Sequence, residues 1–211
     1  DHRMQLEEMA GYTKDKGGAF KELCLKAALA VQAGQPGYGI LCDNRIGCAA
    51  LHAASGTGLW IGRPTEFPGS RPIQLEPELG ADLGQLREWA RENVVKLLVF
   101  CHPEDDAATR AEQEEVVKRL WQASRRNGLE FLLEIIPSKV GAVDDMTTAT
   151  LTQQFYDVGV YPDWWKLEPF KTAAAWQNAV EAIERNDPYT RGIVVLGLDA
   201  PEAELAASFA M

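Results

Sequence analysis

The sequence predicts a (β/α)8 barrel that lacks its last strand and helix, and three observations carry that prediction. Strand-length apolar runs recur from Gly37 to Leu198, and they are near-continuous rather than alternating, as in parallel strands covered on the outside by helices. Segments with helical spacing and polar faces separate the later runs. No G-x-G-x-x-G or G-x-x-x-x-G-K-[ST] follows the first run. The turn that would favour a doubly wound, nucleotide-binding sheet, the other arrangement this repetition allows, is therefore absent.

In chain order, "AFKELCLKAALAVQA" (19 to 33) sets Phe20, Leu23, Leu25, Ala27, Ala28 and Val31 at mostly helical spacing before a Gly-Gln-Pro-Gly break. Residues 1–36 are thus expected to form a helical segment packed on a barrel of residues 37–211. "GYGILCD" (37 to 43) reads as the first strand, and "CAALHAAS" as a small-residue helix ending at Gly56. Further strands are expected in "LWIG" (59 to 62), "ENVVKLLVFC" (92 to 101), "LEFLLEII" (129 to 136), "DWWKLE" (163 to 168) and "GIVVLGL" (192 to 198). Helices are expected at Glu104 to Asn127, Asp144 to Val158 and Ala173 to Arg185. The Pro- and Gly-rich stretch from Arg63 to Gly80 interrupts the rhythm and has room for one brief strand, Ile73 to Glu76, which brings the count to seven. The chain starts at Asp1 and stops within a helical pattern at "AELAASFAM". It therefore reads as a piece of a longer polypeptide, with the eighth strand and helix expected past Met211.

Composition narrows the function. The 211 residues are 46% hydrophobic and 25% charged, with 21 Lys+Arg against 31 Asp+Glu and a formal net charge of -10. Without a local basic patch, nucleic acid is excluded as a partner. No apolar run approaches the roughly 18 residues of a membrane span, and "DHRMQLEEMA" is charged where a signal peptide is apolar. A soluble protein is expected, with no membrane partner. Cys24, Cys42, Cys48 and Cys101 form no C-x-x-C pair, and they read as reduced thiols in a cytoplasmic protein.

The chemical signal lies inside the strands. Lys96 in "VVKLLVF", Glu134 in "FLLEII" and Lys166 in "DWWKLE" interrupt apolar runs, and Asp43 closes the first strand. A barrel strand points its side chains either at the interior or at the helices, and neither is water. One such residue could be a paired or snorkelling side chain. Charges in three separate strands point instead to an interior cluster of two ammonium and two carboxylate groups. A deprotonated lysine there is a nucleophile for a carbonyl, forming a Schiff base whose protonated imine withdraws electrons and lets a neighbouring carbon-carbon bond break. Lys166 is the expected nucleophile, Lys96 its neighbouring cation and Glu134 its proton shuttle. Arg45 in "CDNRIG", Arg63 in "WIGRP" and His102 in "CHPEDD" stand near strand C-terminal ends, where such barrels gather substrate-binding groups. Either arginine could equally be a surface residue, and His102 reads as a loop-orienting side chain as readily as a ligand. No metal is implied, since no second His or Cys stands at ligand spacing from His102, and no cofactor is called for. "PEDDAATRAEQEE" reads as a helix N-terminus and a solvated face. Of Trp164 and Trp165, one must face the helices if the other faces the interior.

Taken together, "GYGILCDNRIG", "GLWIGRPTEFPGSRP", "VVKLLVFCHPEDD", "LLEIIPSK", "PDWWKLEP" and "RGIVVLGLDAPEAELAASF" resemble the aldolase-like domain at the C-terminus of bacterial 5-dehydro-2-deoxygluconokinase fusion proteins of myo-inositol catabolism. That domain is similar in turn to class I tagatose-1,6-bisphosphate aldolases, which are (β/α)8 barrels. The resemblance implies Lys166 as Schiff-base lysine, Glu134 as proton-transfer residue, Lys96 as supporting lysine, and Asp43 and Arg45 as the first-strand turn pair. Here that turn reads "DNRIG", with an extra Ile before the Gly. The implied reaction is cleavage of 2-deoxy-5-keto-gluconate 6-phosphate, a phosphorylated keto sugar acid, to dihydroxyacetone phosphate and malonate semialdehyde. A fused or associated sugar kinase domain is the implied partner, and a further strand with a Gly-Arg turn is implied past Met211. Two other readings stay open: a Glu134-base barrel isomerase without a covalent step, and a non-catalytic sugar-phosphate-binding domain beside a kinase. Self-association into a homo-oligomer is possible on either.

Overall fold

The computed structural model describes residues 16–197 and 201–210. They form α1 (Gly17–Gln32), β1 (Gly39–Leu41), α2 (Cys48–Ala54), β2 (Trp60–Pro64), β3 (Asn93–Val99), α3 (Ala107–Arg126), β4 (Glu130–Ile135), α4 (Thr147–Asp157), β5 (Trp164–Leu167), α5 (Ala173–Asn186), β6 (Gly192–Val195) and α6 (Glu202–Phe209). The six strands make one sheet in the order β1-β2-β3-β4-β5-β6, and every adjacent pair is parallel. A doubly wound sheet reverses its order at a switch point. This one never reverses, so each unit is laid down beside the last, as in a (β/α) barrel.

Six strands are present among the described residues, where seven were expected. Ile73 to Glu76 does not join the sheet. Its Leu75 makes a single antiparallel bridge to Glu66, and the Phe67 N–H donates to the Gln74 carbonyl at 2.7 Å. The segment after β2 thus doubles back on itself as a short lap. Pro72 and Pro77 bracket it and supply no N–H to extend a ladder in either direction. The first part of the N-terminal segment, residues 1–15, and Leu198 at the end of the last expected strand lie outside the described residues.

Period two sorts the strand residues between two faces. Val95, Leu97, Val99, Phe131, Leu133, Ile135, Trp165 and Leu167 point outward and pack with Val117, Leu120, Leu151, Phe155 and Ile183 of the covering helices in the main core. Asp106 caps α3, accepting the N–H groups of Ala108 and Thr109 at 3.0 Å each, and Thr172 caps α5 in the same way. A second, smaller core joins Leu25 of α1 to Ala50, Leu51 and Ala54 of α2 and to Leu59 and Ile61. The apolar stripe expected on α1 is therefore only partly used, since Leu23 and Val31 are exposed.

The inward face is concave. Strand spacing of about 4.8 Å would hold β2 and β5 about 14 Å apart in a flat sheet. Trp60 of β2 and Trp164 of β5 nevertheless meet edge to face with ring centroids 6.1 Å apart. The sheet is a curled half-barrel, and its concave wall gathers side chains from strands that are not neighbours. Trp165 takes the helix side, fully buried, donating its indole N–H to the Tyr156 hydroxyl at 2.8 Å.

Candidate functional site

Register places the charged strand residues on one face. Glu134 is the direct partner of Lys166 across β4 and β5, and Lys96 pairs with Leu132, two residues lower on β4. In-register residues of parallel strands point to the same side, so Lys96, Glu134 and Lys166 all face the concavity. The long Lys96 side chain then rises to Glu134. Lys166 Nζ lies 2.9 Å from Glu134 Oε1, and Lys96 Nζ lies 2.8 Å from Glu134 Oε2. One carboxylate therefore bridges two ammonium groups from different strands.

A second carboxylate completes the cluster, and sequence reasoning missed it. Glu66, in the lap after β2, brings Oε1 to 2.6 Å from Lys96 Nζ. The β2–β3 ladder stops at the Pro64–Lys96 pair. Past that point, the N–H of Leu98 donates to Glu66 Oε2 at 3.2 Å. Among the described residues, two lysines and two glutamates thus balance in charge. The side chains are 3% (Lys96), 2% (Glu66), 4% (Glu134) and 10% (Lys166) exposed, so Lys166 is the most accessible of the four.

For Lys96 and Glu134, burial favours the neutral form, and their charged contacts oppose it. For Lys96, desolvation pulls the pKa down, but the charges and hydrogen bonds of Glu66 and Glu134 outweigh it and hold the ammonium above the ordinary lysine value. For Glu134, burial pushes up while Lys96 and then Lys166 pull down, and the net result is a carboxyl below its usual range. At rest and at neutral pH Lys96 is therefore a cation and Glu134 an anion. Well-packed apolar residues could often replace such a cluster with no loss of stability, so its presence argues for chemistry more than for folding.

A family model described as "Uncharacterized protein conserved in bacteria (DUF2090)" matches residues 1–211. The chain belongs to this family. No curated protein matches it.

The remaining expected site residues of this DUF2090 chain are dispersed. Asp43, expected in the cluster, accepts the Ile46 N–H at 2.7 Å and, among the described residues, ion-pairs with Lys21 of α1 at 3.3 Å. The carboxylates on Lys96 are those of Glu66 and Glu134. Arg63, expected at the barrel mouth, shares the helix-facing side of β2 with Ile61. Its guanidinium stacks 3.7 Å over the Trp89 ring and donates to Asn93 Oδ1 at 3.3 Å. Burial pulls its pKa down, yet an arginine so placed remains charged at neutral pH. Parity with Ile61 was the available signal, and it assigns Arg63 to the outer layer. Arg45 does stand in the loop after β1, largely exposed, 3.6 Å from Glu76. His102 pins two loops together: Nδ1 accepts the Glu104 N–H at 3.3 Å and Nε2 lies 2.9 Å from the Ala142 carbonyl. Both ring nitrogens of this DUF2090 residue are thereby engaged. Among the described residues, no group of three or more His, Cys, Asp or Glu is arranged to hold a metal, and no helix is long and apolar enough to cross a membrane. The four cysteines are free, Cys42 and Cys101 buried, Cys24 and Cys48 exposed.

Proposed function

We propose that this chain is a class I aldolase in which Lys166 forms the Schiff base. The supporting observation is the asymmetry of the two lysines about Glu134. Lys96 carries two carboxylate partners, whereas Lys166 has one within ion-pair distance among the described residues and is the more accessible. An amine that must shed a proton and meet a substrate fits the second position better than the first. The resemblance to the aldolase-like domains of myo-inositol catabolism supports 2-deoxy-5-keto-gluconate 6-phosphate as substrate. A sugar kinase acting in the same cytoplasm would then supply the phosphate.

In this reading Lys166 passes its proton to Glu134 and adds to the C5 carbonyl. Glu134 returns the proton to the carbinolamine hydroxyl, which leaves as water. The iminium then accepts the electrons of the C3–C4 bond as Glu134 takes the C3 hydroxyl proton, releasing malonate semialdehyde. The enamine left behind takes that proton at carbon, and water hydrolyses the imine to dihydroxyacetone phosphate. Lys96 keeps its proton throughout and steadies Glu134 whenever it is an anion.

Borohydride reduction in the presence of dihydroxyacetone phosphate should leave a mass adduct on Lys166. Lys166→Arg keeps the charge and the Glu134 contact but cannot form a neutral imine, so it should fold, give no adduct and lose cleavage. Turnover surviving in Lys166→Arg would instead support the isomerase reading with Glu134 as base. Ligand binding by calorimetry without conversion would support the non-catalytic one.

A further inference from the structure

Glu66 is built into the site more firmly than a casual counter-ion. Both of its oxygens are engaged: Oε1 with Lys96 Nζ at 2.6 Å, and Oε2 with the N–H groups of Leu98 at 3.2 Å and Thr65 at 3.3 Å. The backbone around it grips the same lysine, since the Thr65 N–H and Oγ1 donate to the Lys96 carbonyl at 3.0 and 2.8 Å. The lap is closed behind it by the Glu66–Leu75 bridge and by the Glu76 N–H donating to the Thr65 carbonyl at 2.8 Å. A single short segment therefore fixes both the main chain and the ammonium of Lys96.

We propose that Glu66 is the positioning residue of this site: it clamps Lys96 in its charged form as a fixed counter-ion for Glu134, so that Lys166 is the amine left to react. The last clause rests on the aldolase reading, whereas the clamp stands without it. Among the described residues, the charged groups facing Lys96 are Glu66 from the lap and Glu134 from β4, with Lys166 of β5 beyond Glu134. Without Glu66 two lysines would share one carboxylate, and Lys96 would lose its proton more readily.

The test is lysine side-chain NMR titration of the full chain, followed by pH–rate profiles. In the native protein the Lys96 signal should stay that of an ammonium past the ordinary lysine midpoint of about 10.4. In Glu66→Gln its midpoint should fall by at least about one pH unit. The borohydride adduct should still form on Lys166, turnover should drop about tenfold at unchanged KM, and the alkaline limb of the profile should move to lower pH. Glu66→Asp, which retains the charge, should restore the Lys96 midpoint and much of the rate, and it serves if Glu66→Gln does not fold. A native Lys96 titrating below about 10.4, or an unchanged midpoint in Glu66→Gln, overturns the clamp. If the native chain gives no adduct while the Lys96 shift holds, the aldolase reading falls and the clamp remains. An adduct with no shift has the reverse meaning.

Discussion

The two faces of the same strands differ in where they admit charge. Toward the helices, β3, β4 and β5 present Val95, Leu97, Val99, Phe131, Leu133, Ile135, Trp165 and Leu167 without a charge. Toward the concavity, one residue position away, they present Lys96, Glu134 and Lys166 joined at 2.8 and 2.9 Å. Period two thus lets one set of strands carry a close-packed core and a polar cluster with a thickness of one backbone between them. The outer face supplies the stability that makes the inner face's costly desolvation tolerable.

Three experiments would break or sharpen that contrast. The largest expected effect is on the inner face: Glu134→Gln keeps the side-chain shape but removes the anion that both ammonium groups share and turns an amide N–H toward one of them, and it should lower cleavage by about 10²- to 10⁴-fold in steady-state assays. On the outer face, Phe131→Ala empties a fully buried site and should cost about 3–5 kcal/mol in urea unfolding. Its folded fraction should keep the native turnover number, and a large loss of turnover in that fraction would mean the faces are not separable. The smallest effect is the pH dependence of stability, to which the inner face contributes through Glu134 and Lys96. The Glu134 pKa is lowered by Lys96 and Lys166 against its burial, so its contribution is present above the unfolded carboxylate value of about 4.3 and lost as pH falls through the lower folded value. The Lys96 pKa is raised by Glu66 and Glu134 against its burial, so its contribution is complete below about 10.4 and lost as pH rises through the higher folded value. Urea midpoints followed across pH should therefore fall at both ends in native protein. Phe131→Ala should show the same dependence on a uniformly lower curve.

How much of this was legible in the chain depended on the signal each residue carried. Lys96, Glu134 and Lys166 stood out because a charge within an apolar strand must be matched by something. Trp164 and Trp165 could be assigned to opposite faces from adjacency alone. Glu66 had no such contrast, because it lies in the Pro- and Gly-rich stretch after β2, where a glutamate reads as solvated. Its burial follows from the lap folding back over the end of the β2–β3 ladder. The same lap accounts for the expected strand at Ile73 to Glu76, whose Leu75 and Gln74 pair locally with Glu66 and Phe67. Asp43 carried the strand-end signal but lies against α1, and its pairing with Lys21 depends on where that helix docks.

By itself the sequence determined the succession of parallel strands and covering helices, the two-faced character of β3 to β5, and the three charged residues that had to find partners. These are local properties, set by periodicity and by the cost of burying charge within a single segment. Only the tertiary structure decided that the sheet curls, that Glu134 falls in register with Lys166, and that Glu66 reaches Lys96 across 30 residues of chain. Those contacts depend on strand register and on the path of a loop, which are settled by packing between distant segments rather than by any one of them.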